Sequence, residues 1–152
     1  MVEEVRRLKT DDEVRASLEL SRRVFDEFVG PDYSREGRNT FHKVTEPDEN
    51  IAKWRSGEYA FYGAFDGENL IGTVASREKG AHIMLLFVDK DHHRNGIARR
   101  LVNALMADAP AKKLTVNASP YAVKAYECMG FERLEDRVTK DGITFIPMEY
   151  KV

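Results

Sequence analysis

The stretch Ala81–Met106, AHIMLLFVDKDHHRNGIARRLVNALM, decides the fold. Ile83 to Val88 is an uninterrupted apolar run, the length of a strand buried on both faces. Asp89 to Asn95 is polar and charged and reads as a turn. From Gly96 the apolar residues change period: Ile97, Ala98, Leu101, Val102 and Leu105 form one helical stripe, with Arg99, Arg100 and Asn103 off it. The order is strand, tight turn, helix. Small residues stand where the helix begins, at Gly96 and Ala98, so a ligand can approach the backbone closely. Free N–H groups and the positive end of the helix dipole at such a start suit an anion such as a pyrophosphate. Strand–helix junctions that bind nothing share the pattern. The additional glycines of a dinucleotide fingerprint and the Gly-Lys-Ser/Thr of a P-loop are absent.

Around this stretch the chain has 152 residues, enough for a single domain with its own core. Lys and Arg number 24 against 26 Asp and Glu, a net charge of −2 that argues against general nucleic-acid binding. The basic cluster at Arg94, Arg99 and Arg100 is local and lacks the interleaved aromatics of a single-strand binder. No apolar run reaches membrane-spanning length, and MVEEVRR has no signal-peptide apolar region. One cysteine, Cys128, excludes an internal disulfide and argues against a zinc site. The expectation is a soluble cytoplasmic protein, monomer or homodimer, with no metal and no membrane or nucleic-acid partner.

Upstream, Glu3–Leu8 reads as a first strand. A helix capped by Asp11 or Asp12 then runs to about Phe28 and is ended by Gly30-Pro31. Tyr33–Phe41 and Glu46–Trp54 suggest two short helices, the second with Pro47 near its start. Tyr59–Phe65 and Leu70–Ser76 are strands joined around Asp66-Gly67. Downstream, Lys113–Asn117 is a strand. Ser119 and Pro120 look like the cap and first residue of a helix with Ala122, Val123, Tyr126 and Met129 on its apolar side. Gly130 and Phe131 close that helix. Glu132–Thr139 and Ile143–Tyr150 pair around Asp141-Gly142. The expected fold is α/β: a mixed, mostly antiparallel central sheet with helices on both faces. Its one parallel crossover links Ile83–Val88 to Lys113–Asn117.

These elements and two motifs resemble the GNAT superfamily of acyl-CoA-dependent N-acetyltransferases. His93-Arg94-Asn95-Gly96-Ile97-Ala98 resembles the family's phosphate loop, with His at a first position usually held by Gln or Arg. Asn117-Ala-Ser119-Pro-Tyr-Ala122, Ala125-Tyr126 and Gly130-Phe131 resemble the family's Asn-x-x-Ala-x-x-x-Tyr-x-x-x-Gly-Phe, with Ser119 replacing Asn. Phe145-Ile-Pro147-Met148-Glu is similar to the ending of one subgroup of small bacterial members.

The resemblance implies a splayed parallel strand pair that offers backbone groups of Leu86, Phe87 and Val88 to the pantetheine of acetyl-CoA. It places the pyrophosphate over His93, Arg94, Asn95, Gly96, Ile97, Ala98 and Arg99, with Asn117 and Ser119 as further contacts. It implies direct attack by a primary amine of a small molecule or peptide on the thioester. Tyr126 would be the proton donor to the leaving thiolate. His82 is a candidate base, by the ordinary pKa of its side chain, although a structural histidine, a water chain or a Glu would also fit its place. Tyr126 equally suits a helix's core face, and Cys128 reads as packing. Phe28, Tyr33 and Arg38, where aromatic and charged residues gather without clean periodicity, are candidate walls of an acceptor pocket. The competing expectation is an acyl-CoA-binding regulatory module without turnover.

Overall fold

A computed structural model describes residues 4–89, 96–109 and 112–151. Strand β1 (Glu4–Arg7) leads into α1 (Asp11–Val24), which continues as a π-helical turn (Phe25–Val29) and a 3-10 turn (Gly30–Asp32). Then follow α2 (Arg35–Val44), α3 (Pro47–Ser56), β2 (Ala60–Asp66), β3 (Asn69–Arg77) and β4 (His82–Val88). The second half is α4 (Ile97–Asp108), β5 (Lys113–Ala118), α5 (Val123–Cys128), β6 (Glu132–Arg133), β7 (Val138–Lys140) and β8 (Ile143–Lys151). Among these, no helix is long and apolar enough to cross a membrane.

The sheet order is β1-β2-β3-β4-β5-β8-β6, with β7 on β8. Every neighbour pair is antiparallel except β4–β5. Two apolar layers flank it. One holds Ile97, Leu101 and Leu105 of α4 and Tyr126 of α5 against Val74, Ile83, Val116 and Met148. The other holds Leu18 of α1, Phe25, Phe41 and Ile51 against Phe61, Ala75 and Leu85. The expected mixed sheet with helices on both faces is the observed one.

Three boundaries differ from expectation, each for a local reason. Thr10, not Asp11 or Asp12, caps α1, because its hydroxyl accepts the Glu13 N–H at 3.1 Å while the acids occupy the first turn. Ser119 does not cap α5. A turn closed by Ala122 N–H on the Ser119 carbonyl (2.9 Å) intervenes, and the helix starts at Val123 without a side-chain cap. Glu132–Thr139 is not one strand; after the Leu134 N–H bonds the Pro147 carbonyl of β8, Glu135–Arg137 leave the sheet, and β6 and β7 each pair separately with β8.

β4 carries a bulge. Its register against β3 pairs Ser76 with Ile83 but Ala75 with Leu85, so Met84 is the extra residue. The alternation of side chains breaks there. Ile83 belongs to the α4 layer, Met84 and Leu85 both turn to the α1 layer, and Leu86 returns to the α4 side. The bulge bends β4 where its pairing with β5 ends: only His82–Thr115 and Ile83–Val116 are in register. From Met84 onward the two parallel strands diverge.

Candidate active site

The site is built on this divergence. Beyond the bulge, the Asp89 N–H donates to the Ile71 carbonyl at 2.8 Å, which sets the antiparallel alternation between β4 and β3. Phe87 therefore directs its backbone groups to Thr73, and those of Leu86 and Val88 face the side from which β5 has departed. Here the structure corrects the expectation for Phe87. Its backbone belongs to the β3 ladder, and its ring packs edge-on to Phe41 at 5.7 Å in the α1 layer.

α4 begins at the same end of the sheet. Gly96 takes a left-handed conformation (φ 73°, ψ 12°) that its lack of a Cβ permits. Among the described residues no side chain caps the helix, and no acid stands in its first turn. The first intrahelical bond is Arg100 N–H to the Gly96 carbonyl, 3.1 Å, so the N–H groups of Ile97, Ala98 and Arg99 point out of the helix start. Ile97 is buried and anchors that start; Ala98 is half-buried and Gly96 exposed. Arg99 donates through Nη2 to the Cys128 carbonyl at 2.7 Å, tying the start of α4 to the end of α5. His93, Arg94 and Asn95 lie outside the described residues.

Tyr126 is held by the end of α5. The Phe131 N–H bonds the Tyr126 carbonyl (3.0 Å), the Gly130 N–H bonds that of Glu127 (3.0 Å), and Gly130 sits at φ 101°. The rings of Tyr126 and Phe131 meet edge-on at 5.2 Å. This is the helix stop expected from Gly130-Phe131. The ring is 5 % exposed, in the layer that also receives Leu86 and Val88. Its hydroxyl has no hydrogen-bond partner among the described residues, and burial raises its pKa well above the ordinary value, so the phenol stays protonated. Asn117 is exposed on β5 opposite Pro147, and Ser119 is half-buried just after the strand.

His82 stands at the closed end of the parallel pair. Its Nδ1 lies 2.7 Å from Thr115 Oγ1, whose hydroxyl donates to the Ala81 carbonyl at 3.2 Å. The Ala81 carbonyl also accepts the Thr115 N–H at 2.8 Å, so Thr115 ties the His82 ring to the start of β4. Burial, with help from Arg77, lowers the imidazole's pKa against a smaller opposing effect of Glu78, and His82 is neutral at pH 7. Leu86 is four residues further along β4, about 13 Å at the usual rise per residue. Thr115 was not legible as a site residue, because only the β4–β5 register brings it to His82.

A cavity of about 260 Å³ lies beside the mouth of the splay, lined by Val29, Asp32, Tyr33, Tyr121, Arg137 and Thr144 among others. The π-helical turn spans that mouth. Phe25 stacks on Phe41 (3.8 Å), which meets Phe87 of β4, while Phe28 stacks on Tyr121 beyond β5 at 6.1 Å. The Tyr33 hydroxyl donates to the Thr144 carbonyl at 2.7 Å. α2 locks against the β7–β8 turn so closely that a Cβ on Gly37 would sit 2.3 Å from the Gly142 carbonyl oxygen. Of the expected pocket residues, Tyr33 lines the cavity and Phe28 supports its Tyr121 wall. Arg38 instead braces the turn, donating to the Tyr33 carbonyl at 2.6 Å. Asp32, Tyr121 and Arg137 escaped sequence reading, since no periodicity relates segments a hundred residues apart. Another cavity, about 230 Å³, lies between the end of α4 and the β3–β4 turn and touches none of these residues.

A family model for the acetyltransferase (GNAT) domain matches residues 29–152. A GCN5-related N-acetyltransferase from Rhodopseudomonas palustris superposes with a TM-score of 0.82 at 19% identity, covering 100% of this chain and 97% of its own. The PaiA N-acetyltransferase from Thermoplasma acidophilum, solved with coenzyme A, gives 0.75 at 20% identity over 98% of both chains. Apo YjaB from Escherichia coli gives 0.71 at 24% identity, covering 99% of this chain and 98% of its own. At these identities the solved structures speak to the fold. No curated protein sequence matches at a significant level.

Proposed function

The chain belongs to the GNAT acetyltransferase family and is an acyltransferase, and we propose that its 152 residues act as one domain moving an acetyl group from acetyl-CoA to a primary amine of a small molecule or peptide. The observation that carries this reading is the start of α4. It is a helix end with, among the described residues, no side-chain cap and no acid in its first turn, beside a strand whose backbone turns outward at Leu86. That combination fits coenzyme A in two places: donors for a pyrophosphate at Ile97, Ala98 and Arg99, and a strand edge for the amides of the pantetheine arm.

When bound, acetyl-CoA supplies a thioester carbonyl open to nucleophilic attack. The residues of the chain do the rest. Gly96 keeps the approach to the α4 donors clear, and the family resemblance adds His93, Arg94 and Asn95 as further contacts of the pyrophosphate. Leu86, with Val88 beyond it, aligns the arm along β4, and Asn117 and Ser119 border it on the β5 side. Arg99 holds the two helices that frame the arm. The Tyr126 hydroxyl donates to the departing sulfur. Its high pKa makes a free tyrosinate costly, so the proton moves only as the C–S bond breaks and is then restored from solvent. His82, neutral at pH 7, accepts the proton of the incoming ammonium through water from the closed end of the splay.

Tyr126→Phe tests this. The ring's packing against Phe131 is kept, so the variant folds. Single-turnover acetyl transfer, with the acceptor found by an amine panel and held saturating, should slow by about 10²–10⁴-fold, with little change in acetyl-CoA affinity. Unchanged chemistry would remove Tyr126 from the mechanism. Thiol release with no amine in the panel, despite acetyl-CoA binding, would favour a regulatory module.

A further inference from the structure

The cavity beside the splay carries charge of both signs. Asp32 closes the 3-10 turn and Arg137 precedes β7; both line the same space and both are exposed. Among the described residues neither forms an ion pair or a hydrogen bond, with the other or with any third group. Elsewhere on this surface opposite charges meet, as in Arg6–Glu13 and Arg23–Asp89. Two tyrosines complete the walls. Tyr33 is fixed by its bond to the Thr144 carbonyl, and Tyr121, though 56% exposed, is backed by Phe28. At about 260 Å³ the space is below the range of drug-sized sites, about 300–1,000 Å³.

We propose that the acceptor is a zwitterion of amino-acid size, an α-amino acid with an apolar side chain: Arg137 binds its carboxylate, Asp32 draws in its ammonium group, and the rings of Tyr33 and Tyr121 receive the side chain. This rests on the acetyl-transfer reading. A guanidinium offers a carboxylate paired N–H donors, and an unpartnered carboxylate at the mouth raises the local concentration of a cation. A larger amine or a folded polypeptide would leave one of the two charges unmatched. In the reaction the ammonium loses one proton to solvent through the base. The N–C bond forms and the C–S bond breaks, and the second nitrogen proton is balanced by the one Tyr126 gives the thiolate. The products are the N-acetyl amino acid, coenzyme A thiol and one released proton.

The test is calorimetric titration of the coenzyme A-loaded protein with two matched pairs: phenylalanine against phenethylamine, and leucine against isoamylamine. At least one amino acid should bind about tenfold or more tightly than its partner lacking the carboxylate, the scale of one charge-assisted hydrogen bond. Arg137→Gln should abolish that preference and leave the simple amine unchanged, and Asp32→Asn should weaken both members. Equal affinities within both pairs, no binding of either amino acid, or an Arg137→Gln variant that weakens both members alike overturns the proposal. Binding is read without turnover, so failed acetyl transfer leaves this result standing. Acetylation of simple amines as readily as of amino acids overturns this assignment alone.

Discussion

The helices of the first third and α4 begin in opposite ways. α1 is capped by the Thr10 hydroxyl and followed by Asp11, Asp12 and Glu13; the Glu13 carboxylate also accepts the Lys9 N–H at 2.7 Å and pairs with Arg6. α2 is capped by Ser34 on the Gly37 N–H (3.1 Å), and α3 by Glu46 on the N–H groups of Asp48 and Glu49 at 3.0 and 2.8 Å. Each of these helices answers its own orphan donors and its own dipole. α4 has a left-handed glycine and no acid. Short α5 also lacks a side-chain cap, but a turn bond precedes it. The difference separates helices that cap their own first turn with a side chain from one that, among the described residues, has no such cap.

Making α4 resemble the others should break the difference most sharply. Ala98→Asp puts a carboxylate in the first turn of α4. The helix should gain about 0.3–1 kcal/mol, and acetyl-CoA should bind about 10–100-fold more weakly because the anion position is filled. Calorimetry and thermal unfolding on the same variant read both signs; tighter or unchanged binding would detach the cofactor from this helix.

Gly96→Val should act through the backbone. No described atom lies within 4 Å of the Cβ such a variant would add, so the backbone conformation is what the described residues make costly. A branched residue at φ 73° is strained by about 1–3 kcal/mol. The start of α4 should shift or fray, lowering acetyl-CoA affinity several-fold, and Gly96→Ala should be milder. A Gly96→Val protein with native affinity would show that the left-handed start is dispensable.

The smallest effect is expected at the closed end. Thr10→Ala should cost about 1 kcal/mol of stability, measured by denaturant unfolding, and leave acetyl-CoA affinity alone. A loss of affinity there would mean that the two kinds of helix end are not independent.

Much of this molecule is local in origin. The apolar run of β4, the change of period at Gly96, the Asp66-Gly67 and Asp141-Gly142 turns and the Gly130-Phe131 stop are short-range patterns, and all appear where the residues put them. The family resemblance rests on the same local signals. Ser119 and Pro120 suit a helix start and a turn equally well, and only the path from β5 into the α4 layer chooses the turn.

What sequence alone determined, then, is most of the elements, their order and the family, because period, caps and turn residues act within a few positions of one another. Tertiary structure decided the rest. The bulge at Met84 turns Leu86 outward and Phe87 inward, a choice made by register against β3. His82 Nδ1 is engaged by Thr115, which reaches it only through the β4–β5 pair. The cavity of Asp32, Tyr33, Tyr121 and Arg137 draws on segments a hundred residues apart, as does the close contact of Gly37 with Gly142. Contacts of that separation leave no periodic trace, since the chain between them does not constrain which residues meet; packing does.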